Sequence, residues 1–337
     1  MGKILSIVVP AYNVENYLER CLSSMVIENG MDDIEVLVID DGSKDGTASI
    51  ARKYCEKYPA AYYLYQKENG GHGSGINYGI RYASGKYFKI VDGDDWLDTA
   101  ELPQFLEVLK KTDADVVAAD YRCIQDETDI VLAEKYATPN QNQYGKICSM
   151  EKGEIEEVIK MHSFTIRTEI LKNHIPAIDE HCFYVDSEYI TYPVPFVETV
   201  YFYQKFLYCY RLGRDGQSMD IVSMQKNRAQ HLRVLESLLH FYEQLDGQVK
   251  EANRRYIEKC IAQIVENQFQ IYISMGLEKG IFGELKKFDR ELLEKYPRVY
   301  HAVSKKSIYL LRRTNYLMLP FGAVLYRIVR RNRWKKH

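Results

Sequence analysis

The 337-residue chain has no CxxC pair: its seven cysteines, Cys21, Cys55, Cys123, Cys148, Cys182, Cys209 and Cys260, are odd in number and scattered. That excludes a disulfide framework and a cysteine-based zinc site, and makes a reducing cytoplasm the expected compartment. No window reaches the ~18 consecutive apolar residues that a spanning helix needs. The early apolar run in "MGKILSIVVPAYN" is short, lacks a cleavage-site signature and ends at Pro10, so it reads as a first strand and not a leader. Acidic residues are missing from Lys295 onward, where twelve Lys or Arg occur, although the whole chain carries a net charge of only −2. A dinucleotide fingerprint is also missing. In "NGGHGSGINYG" (69–79), the G-x-G-x-x-G spacing lands on Ile76 from Gly71 and on Tyr78 from Gly73. "DDGSKDGT" begins like a calcium loop from Asp41, yet the twelfth position is Arg52, where a bidentate glutamate is required.

What is present is alternation. Apolar runs at 4–10, 34–40, 61–67, 87–92 and 114–120 read as strands buried on both faces, and the segments near 15–27, 45–58, 73–84 and 101–111 have helical spacing. Strands alternating with helices predict a Rossmann-like, mostly parallel α/β sheet flanked by helices, with ligands gathering at the carboxyl ends of the strands. Residues 121–160 turn polar and suggest a loop or small hairpin; strand character returns at 163–171 and 199–211. From about Val222 apolar residues recur at three and four, predicting a helical C-terminal region. The expected organisation is a catalytic domain over 1–220, with a nucleotide-binding half at 1–120 and an acceptor half at 121–220, followed by 221–337 with a basic amphipathic tail.

Three polar loops follow strands in order: "PAYNVE", "DDGSKDGT" and "DGDD". The last raises a physical problem, because Asp92, Asp94 and Asp95 crowd like charges at the end of a strand, where desolvating them is costly. A cation placed there removes the difficulty. "DDGSKDGT" by itself reads as a helix-initiating turn, with Ser43 or Asp45 as cap. The glycine-rich turn at 69–75 lets backbone N–H groups approach a phosphate, with Lys67 and His72 as nearby counter-charges.

Taken together, "VVPAYN…VIDDGSKDGT…NGGHGSGINYG…GKYFKIVDGDDW" resembles the N-terminal half of family 2 glycosyltransferases, inverting enzymes of the GT-A fold. The resemblance implies a nucleotide-sugar donor, most often UDP-linked, and Mn²⁺ or Mg²⁺. It puts Pro10, Ala11 and Tyr12 against the base, Asp40 on the base's ring N–H, and Asp92 and Asp94 on the ribose and metal. Glu15, Asp41, Lys67, Gly71, His72 and Gly93 complete the expected donor site. Asp95 either assists or caps the next helix, and Trp96 is core or acceptor wall. The family's "ARN" is "GIN" here, which puts its arginine in doubt and makes His72 or Lys67 the substitute. Inversion needs a base for the acceptor hydroxyl. Within "HCFYVDSEYI" that base is Asp186, with Glu188 as fallback and helix capping as the other reading of Asp186. "YRLGRDGQSMD" resembles a loop near the donor phosphates, so Arg211, Arg214, Gln217 and Ser218 either clamp the diphosphate or form a polar linker.

The implied activity is transfer of a sugar to a glycan or lipid-linked acceptor in surface polysaccharide synthesis, with no nucleic acid involved. The basic tail suggests a cytoplasmic enzyme held peripherally on the anionic inner membrane face. A non-catalytic nucleotide-fold scaffold is the rival reading, disfavoured by the presence of Asp92, Asp94 and Asp186. A nucleotidyltransferase would carry a Gly- and Arg-rich loop near the N-terminus, and "VVPAYNVENY" has none.

Overall fold

A computed structural model of the chain describes residues 2–213, 220–245 and 247–333, with side chains as far as Tyr326. The described residues fall into two compact units, one of Met1–Asp215 with Gly247–Asn253 and one of Gly216–Asp246 with Arg254–His337.

The first unit is the expected α/β structure. It opens with β1 (Leu5–Ala11), α1 (Glu15–Ser23), β2 (Ile34–Asp40), α2 (Thr47–Lys57), β3 (Tyr62–Gln66), α3 (His72–Tyr82) and β4 (Tyr87–Ile90). These four strands are parallel and lie in the order β3-β2-β1-β4, the order that crossover helices impose. Every residue of β1 and β2 is buried, because helices cover both faces. Ile7, Val9, Val36 and Val38 are each 0% exposed, and such burial stabilises by about 1.5–3 kcal/mol per side chain.

The chain continues through β5 (Trp96–Leu97), α4 (Leu102–Lys111), β6 (Val116–Gln125), β7 (Val131–Lys135), β8 (Ile147–Ser149), β9 (Phe164–Arg167), α5 (Thr168–His174), α6 (Asp186–Thr191) and β10 (Thr199–Leu212). β9 sits antiparallel between β4 and β6, and β10 runs parallel to β6. β6 and β7 form an antiparallel hairpin inside the polar 121–160 stretch. The strand expected over 163–171 stops at Arg167. There the Arg167 amide donates to the Asp115 carbonyl at 2.9 Å and the Thr168 amide to the Lys86 carbonyl at 3.1 Å, and the chain then turns into α5. β10 carries register shifts between Tyr203 and Phe206 and between Phe206 and Tyr208. Bulges of this kind re-aim side chains near sites.

The second unit is helical: α7 (Ile221–Lys226), α8 (Arg228–Glu243), α9 (Glu251–Ser274), α10 (Ile281–Lys295), α11 (Pro297–Ala302), α12 (Lys306–Arg313) and α13 (Leu319–Arg333), the start of α9 lying in the first unit. Leu238, Ile261, Val265 and Phe269 are among its fully buried side chains. Inside it, Arg312 grips the buried Asp289 through Nη2 at 2.8 Å and Nε at 3.1 Å, and the Tyr316 hydroxyl donates to the same carboxylate. No helix among the described residues is long and apolar enough to cross a membrane.

Candidate active site

The site forms where β1, β2 and β4 end, and the first two loops are knitted to each other. The Asn13 amide donates to Ser43 Oγ at 3.0 Å, and the Lys44 amide returns the bond to Asn13 Oδ1 at 2.9 Å. The Val14 amide donates to Thr47 Oγ1 at 2.9 Å, and Glu15 Oε2 accepts the Gly46 amide at 2.6 Å. Asp45 accepts the Thr47 amide at 3.0 Å, which starts α2, and hydrogen bonding from its neighbours holds its carboxyl below the usual range against a burial effect of opposite sign. The Glu15 carboxylate thus fixes the turn that leads into α2. Tyr12 is left with a 48% exposed ring beside the buried Pro10 and Ala11.

The adjacent pair Asp40 and Asp41 divides its work. Asp40, 1% exposed, accepts from the Ser43 amide and from Gln66 Nε2, each at 3.0 Å. Asp41 accepts from Lys67 Nζ at 2.6 Å, the Gly70 amide at 2.9 Å and the Gly71 amide at 2.7 Å. Asp41 and Lys67 therefore pin the glycine-rich turn. The turn itself is shaped by a neighbouring segment. Gly71 has φ +82°, and a Cβ there would lie 3.2 Å from the His181 backbone; a Cβ on Gly73 would lie 2.0 Å from the Asp179 carbonyl. Asn77 clamps the same segment at both ends of one residue: its Nδ2 donates to the Ile178 carbonyl and its Oδ1 accepts the Ile178 amide, both at 2.9 Å. Ile76, at the position of the family's arginine, is 0% exposed.

Segment 178–182, so held, leads into α6 and Asp186. Val185 occupies the N-cap position, so Asp186 is the first helical residue and the capping reading does not apply. Burial raises the Asp186 pKa, Asp92 adds to the effect, and His72 and Lys160 oppose it. Glu188 lies two residues on, 0% exposed, with Oε2 accepting the Asp179 amide at 2.8 Å. Its carboxylate supports the segment from below.

Across from Asp186, His72 Nε2 meets Asp92 Oδ1 at 2.8 Å. Burial disfavours the imidazolium, but the Asp92 carboxylate, with Asp186 and Asp94 behind it, outweighs burial and raises the His72 pKa. Oxygens of Asp92, Asp94 and Asp95 lie within 4.8 Å of one another. Gly93 between the first two packs closely on Val14 and the Pro10 carbonyl. Asp95 differs from its neighbours: at 1% exposure, its Oδ2 accepts from the Tyr208 hydroxyl at 2.6 Å and its Oδ1 from the Arg211 amide at 2.7 Å. Burial, then Asp94 and Asp92, push its pKa well above the usual carboxylate range. It anchors β10 to the acidic loop and does not cap α4, which begins at Leu102. Asp92 and Asp94, both partly exposed, remain as hard oxygen donors of the type that Mg²⁺ and Mn²⁺ take.

Arg211, expected either as a phosphate clamp or in a polar linker, is 6% exposed and engaged with its own chain. Nε donates to the Asp94 carbonyl and Nη1 to Asp126, both at 2.8 Å, and the guanidinium lies between Tyr17 and Trp96 at 4.9 and 4.8 Å. Trp96 is 8% exposed and is also covered by Arg20 at 3.5 Å, so it belongs to this stack. Arg214, Gln217 and Ser218 lie outside the described residues. Sequence reasoning passed over Asn77, Tyr208, Lys160 and Tyr210, whose ionisation burial and then Asp95, Asp92 and Asp94 push up. The spacing of Tyr208 and Tyr210, two apart on one strand and therefore on one face, was a usable signal.

Comparison with known proteins bears on family and fold. The sequence pattern described as "Glycosyl transferase family 2" matches residues 6–175, half of the chain. The minor teichoic acid biosynthesis protein GgaB of Bacillus subtilis is 27% identical over 255 residues, 74% of this chain and 27% of that protein. Glycosyltransferase GlyA of Streptococcus pneumoniae is 26% identical over 64% of this chain, and the match spans 31% of its length. The chain thus spans about a third or less of these two curated relatives. An uncharacterized glycosyltransferase of Rickettsia prowazekii is 28% identical over 92% of both chains. In fold, the chain resembles residues 1–349 of S. aureus TarS, crystallised with UDP-GlcNAc, with a TM-score of 0.65 at 18% identity over 96% of this chain and 91% of that one. The GT-A fold is therefore the architecture described above, and the chain belongs to glycosyl transferase family 2.

Proposed function

We propose that this chain is an inverting glycosyltransferase that moves a hexose-type sugar from a nucleotide diphosphate, most simply UDP, to a hydroxyl of a glycan or lipid-linked acceptor during surface polysaccharide synthesis. The convergence of Asp92 and Asp94, from the loop after β4, with His72 and Asp186, the first residues of α3 and α6, carries this reading. The naming of GgaB for teichoic acid biosynthesis and the UDP-GlcNAc complex of TarS support it.

The exposed Tyr12 ring offers a face for the base. Asp92 and Asp94 would hold Mn²⁺ or Mg²⁺, which, when bound, neutralises charge on the departing diphosphate. His72, whose imidazolium the Asp92 carboxylate favours against burial, lies at the same place. Asp186 accepts the proton of the acceptor hydroxyl as that oxygen bonds to the anomeric carbon and the bond from that carbon to the diphosphate oxygen breaks on the opposite face. Its raised pKa makes it a better proton acceptor than an ordinary aspartate. Asp186 is preferred over Glu188, whose fully buried carboxylate supports the Asp179 amide. A cytoplasmic location on the inner membrane face suits a lipid-linked acceptor.

The test is a panel of nucleotide sugars, with and without Mn²⁺, scored by thermal shift and by release of nucleoside diphosphate. Asp94→Ala is expected to abolish metal-dependent nucleotide binding. Asp186→Asn is expected to retain binding and to lose transfer by about 10²–10⁴-fold. The reverse pattern overturns the assignment.

A further inference from the structure

Helices α12 and α13 carry two apolar stripes where a surface helix needs one. Leu319 and Ala323 are each 0% exposed and pack towards Gly276, while Phe321, Val324 and Leu325 on the same helix are 63%, 45% and 51% exposed. At roughly 100° per residue, the exposed three lie on the face opposite Leu319 and Ala323. Leu317, just before α13, is 76% exposed, and on α12 Tyr309 is 64% exposed while Leu311 is buried. The fold of this unit is satisfied by the inner stripe; the outer one answers to something else.

The charge around it says what. From Lys295 onward the sequence holds twelve Lys or Arg and no acidic residue, including the exposed Lys306 and Arg313 and the run Arg327, Arg330, Arg331, Arg333, Lys335 and Lys336. A second copy of this chain docked through this same face would bring the same positive charge to the contact and be repelled. A nucleic acid would match the charge but offer no apolar phase for Leu317 and Phe321. An anionic bilayer supplies both, a negative surface and an acyl boundary a few ångströms beneath it.

We propose that the outer face of α12 and α13 docks on an anionic phospholipid surface, with Leu317, Phe321 and Leu325 entering the acyl boundary and the flanking cations at the headgroups. The proposal is independent of the reaction, and its test needs no substrate. Full-length protein is floated with vesicles of phosphatidylcholine alone and of phosphatidylcholine mixed with phosphatidylglycerol, at low and high salt. Binding is expected to the mixed vesicles and to weaken with salt. Leu317→Ser with Phe321→Ser, both at exposed positions, should weaken it at least about tenfold. Lys306→Gln should weaken it about fivefold at low salt. Leu277→Ser, an exposed apolar site outside the basic stretch, should leave it unchanged. Circular dichroism spectra that match wild type exclude misfolding as the cause. Absence of flotation, equal binding to both vesicle types, or a Leu317/Phe321 variant that still binds would overturn the proposal. So would self-association that this variant abolishes in a protein that does not float.

Discussion

The Tyr208 hydroxyl donates to Asp95 Oδ2 at 2.6 Å while accepting the Asp92 amide at 3.2 Å. One side chain on β10 thus holds both ends of the acidic loop. Burial and the neighbouring Asp95 and Asp92 carboxylates push its own ionisation far up, so it stays a donor. Tyr208→Phe leaves a buried carboxylate oxygen without that donor and should cost about 1–3 kcal/mol of stability. The loop that carries Asp92 and Asp94 should loosen with it. Urea unfolding and Mn²⁺ titration of the variant check both effects, and unchanged stability together with unchanged metal affinity would remove Tyr208 from this role.

Lys89 lies in β4 just before the acidic loop and is fully buried; its Nζ donates to the His162 carbonyl at 2.8 Å. Burial brings its pKa down to about 7. Between that value and the ordinary lysine range, the unfolded chain holds a proton that the folded protein has released. Stability should therefore rise with pH through this window, by an amount on the order of a few kcal/mol. Lys89→Met has no such proton, so its stability relative to wild type should be greatest near neutrality and decline as pH rises. Paired unfolding curves from about pH 6.5 to 9.5 test the slope, and a flat difference would refute the assignment.

The central parallel strands were readable because burial on both faces leaves a continuous apolar run, as in Ile34–Asp40. The acidic loop was readable because three carboxylates at a strand end demand an explanation. What the polar residues of the loops do was less legible. Asp41, Glu15 and Lys67 have the chemistry of ligand contacts, yet each bonds to its own chain, and only three-dimensional proximity shows which amide lies nearby. The glycine-rich turn is a similar case: its missing side chains make room for residues 178–182, more than a hundred positions later, which no local pattern announces.

That close approach can be tested directly. Gly73→Ala puts a methyl group 2.0 Å from the Asp179 carbonyl, a backbone atom that cannot rotate away. Overpacking of this kind costs about 1–3 kcal/mol, and here it also displaces the segment leading to Asp186. Transfer should fall more than nucleotide binding. Gly283→Ala, in α10 with nothing within 4 Å of the added carbon, should instead stabilise by about 0.5–1 kcal/mol. Denaturant midpoints of the two variants should move in opposite directions.

Arg211 offers a choice between two roles that mutagenesis separates. If its guanidinium orients the Asp94 carbonyl while braced by Asp126, then loosening the brace should weaken metal-dependent nucleotide binding although Asp126 itself is not part of the donor site. Asp126→Asn should produce a mild form of the Arg211→Lys defect, since lysine keeps the charge but loses the planar fork and the stacking between Tyr17 and Trp96. Because the two side chains touch, a double-mutant cycle on nucleotide affinity should show a coupling of about 0.5–3 kcal/mol. A phosphate-clamping arginine behaves otherwise: releasing it from Asp126 would leave affinity unchanged or improve it, and the cycle would show no shared loss. That outcome would return Arg211 to the clamp role expected from its sequence context.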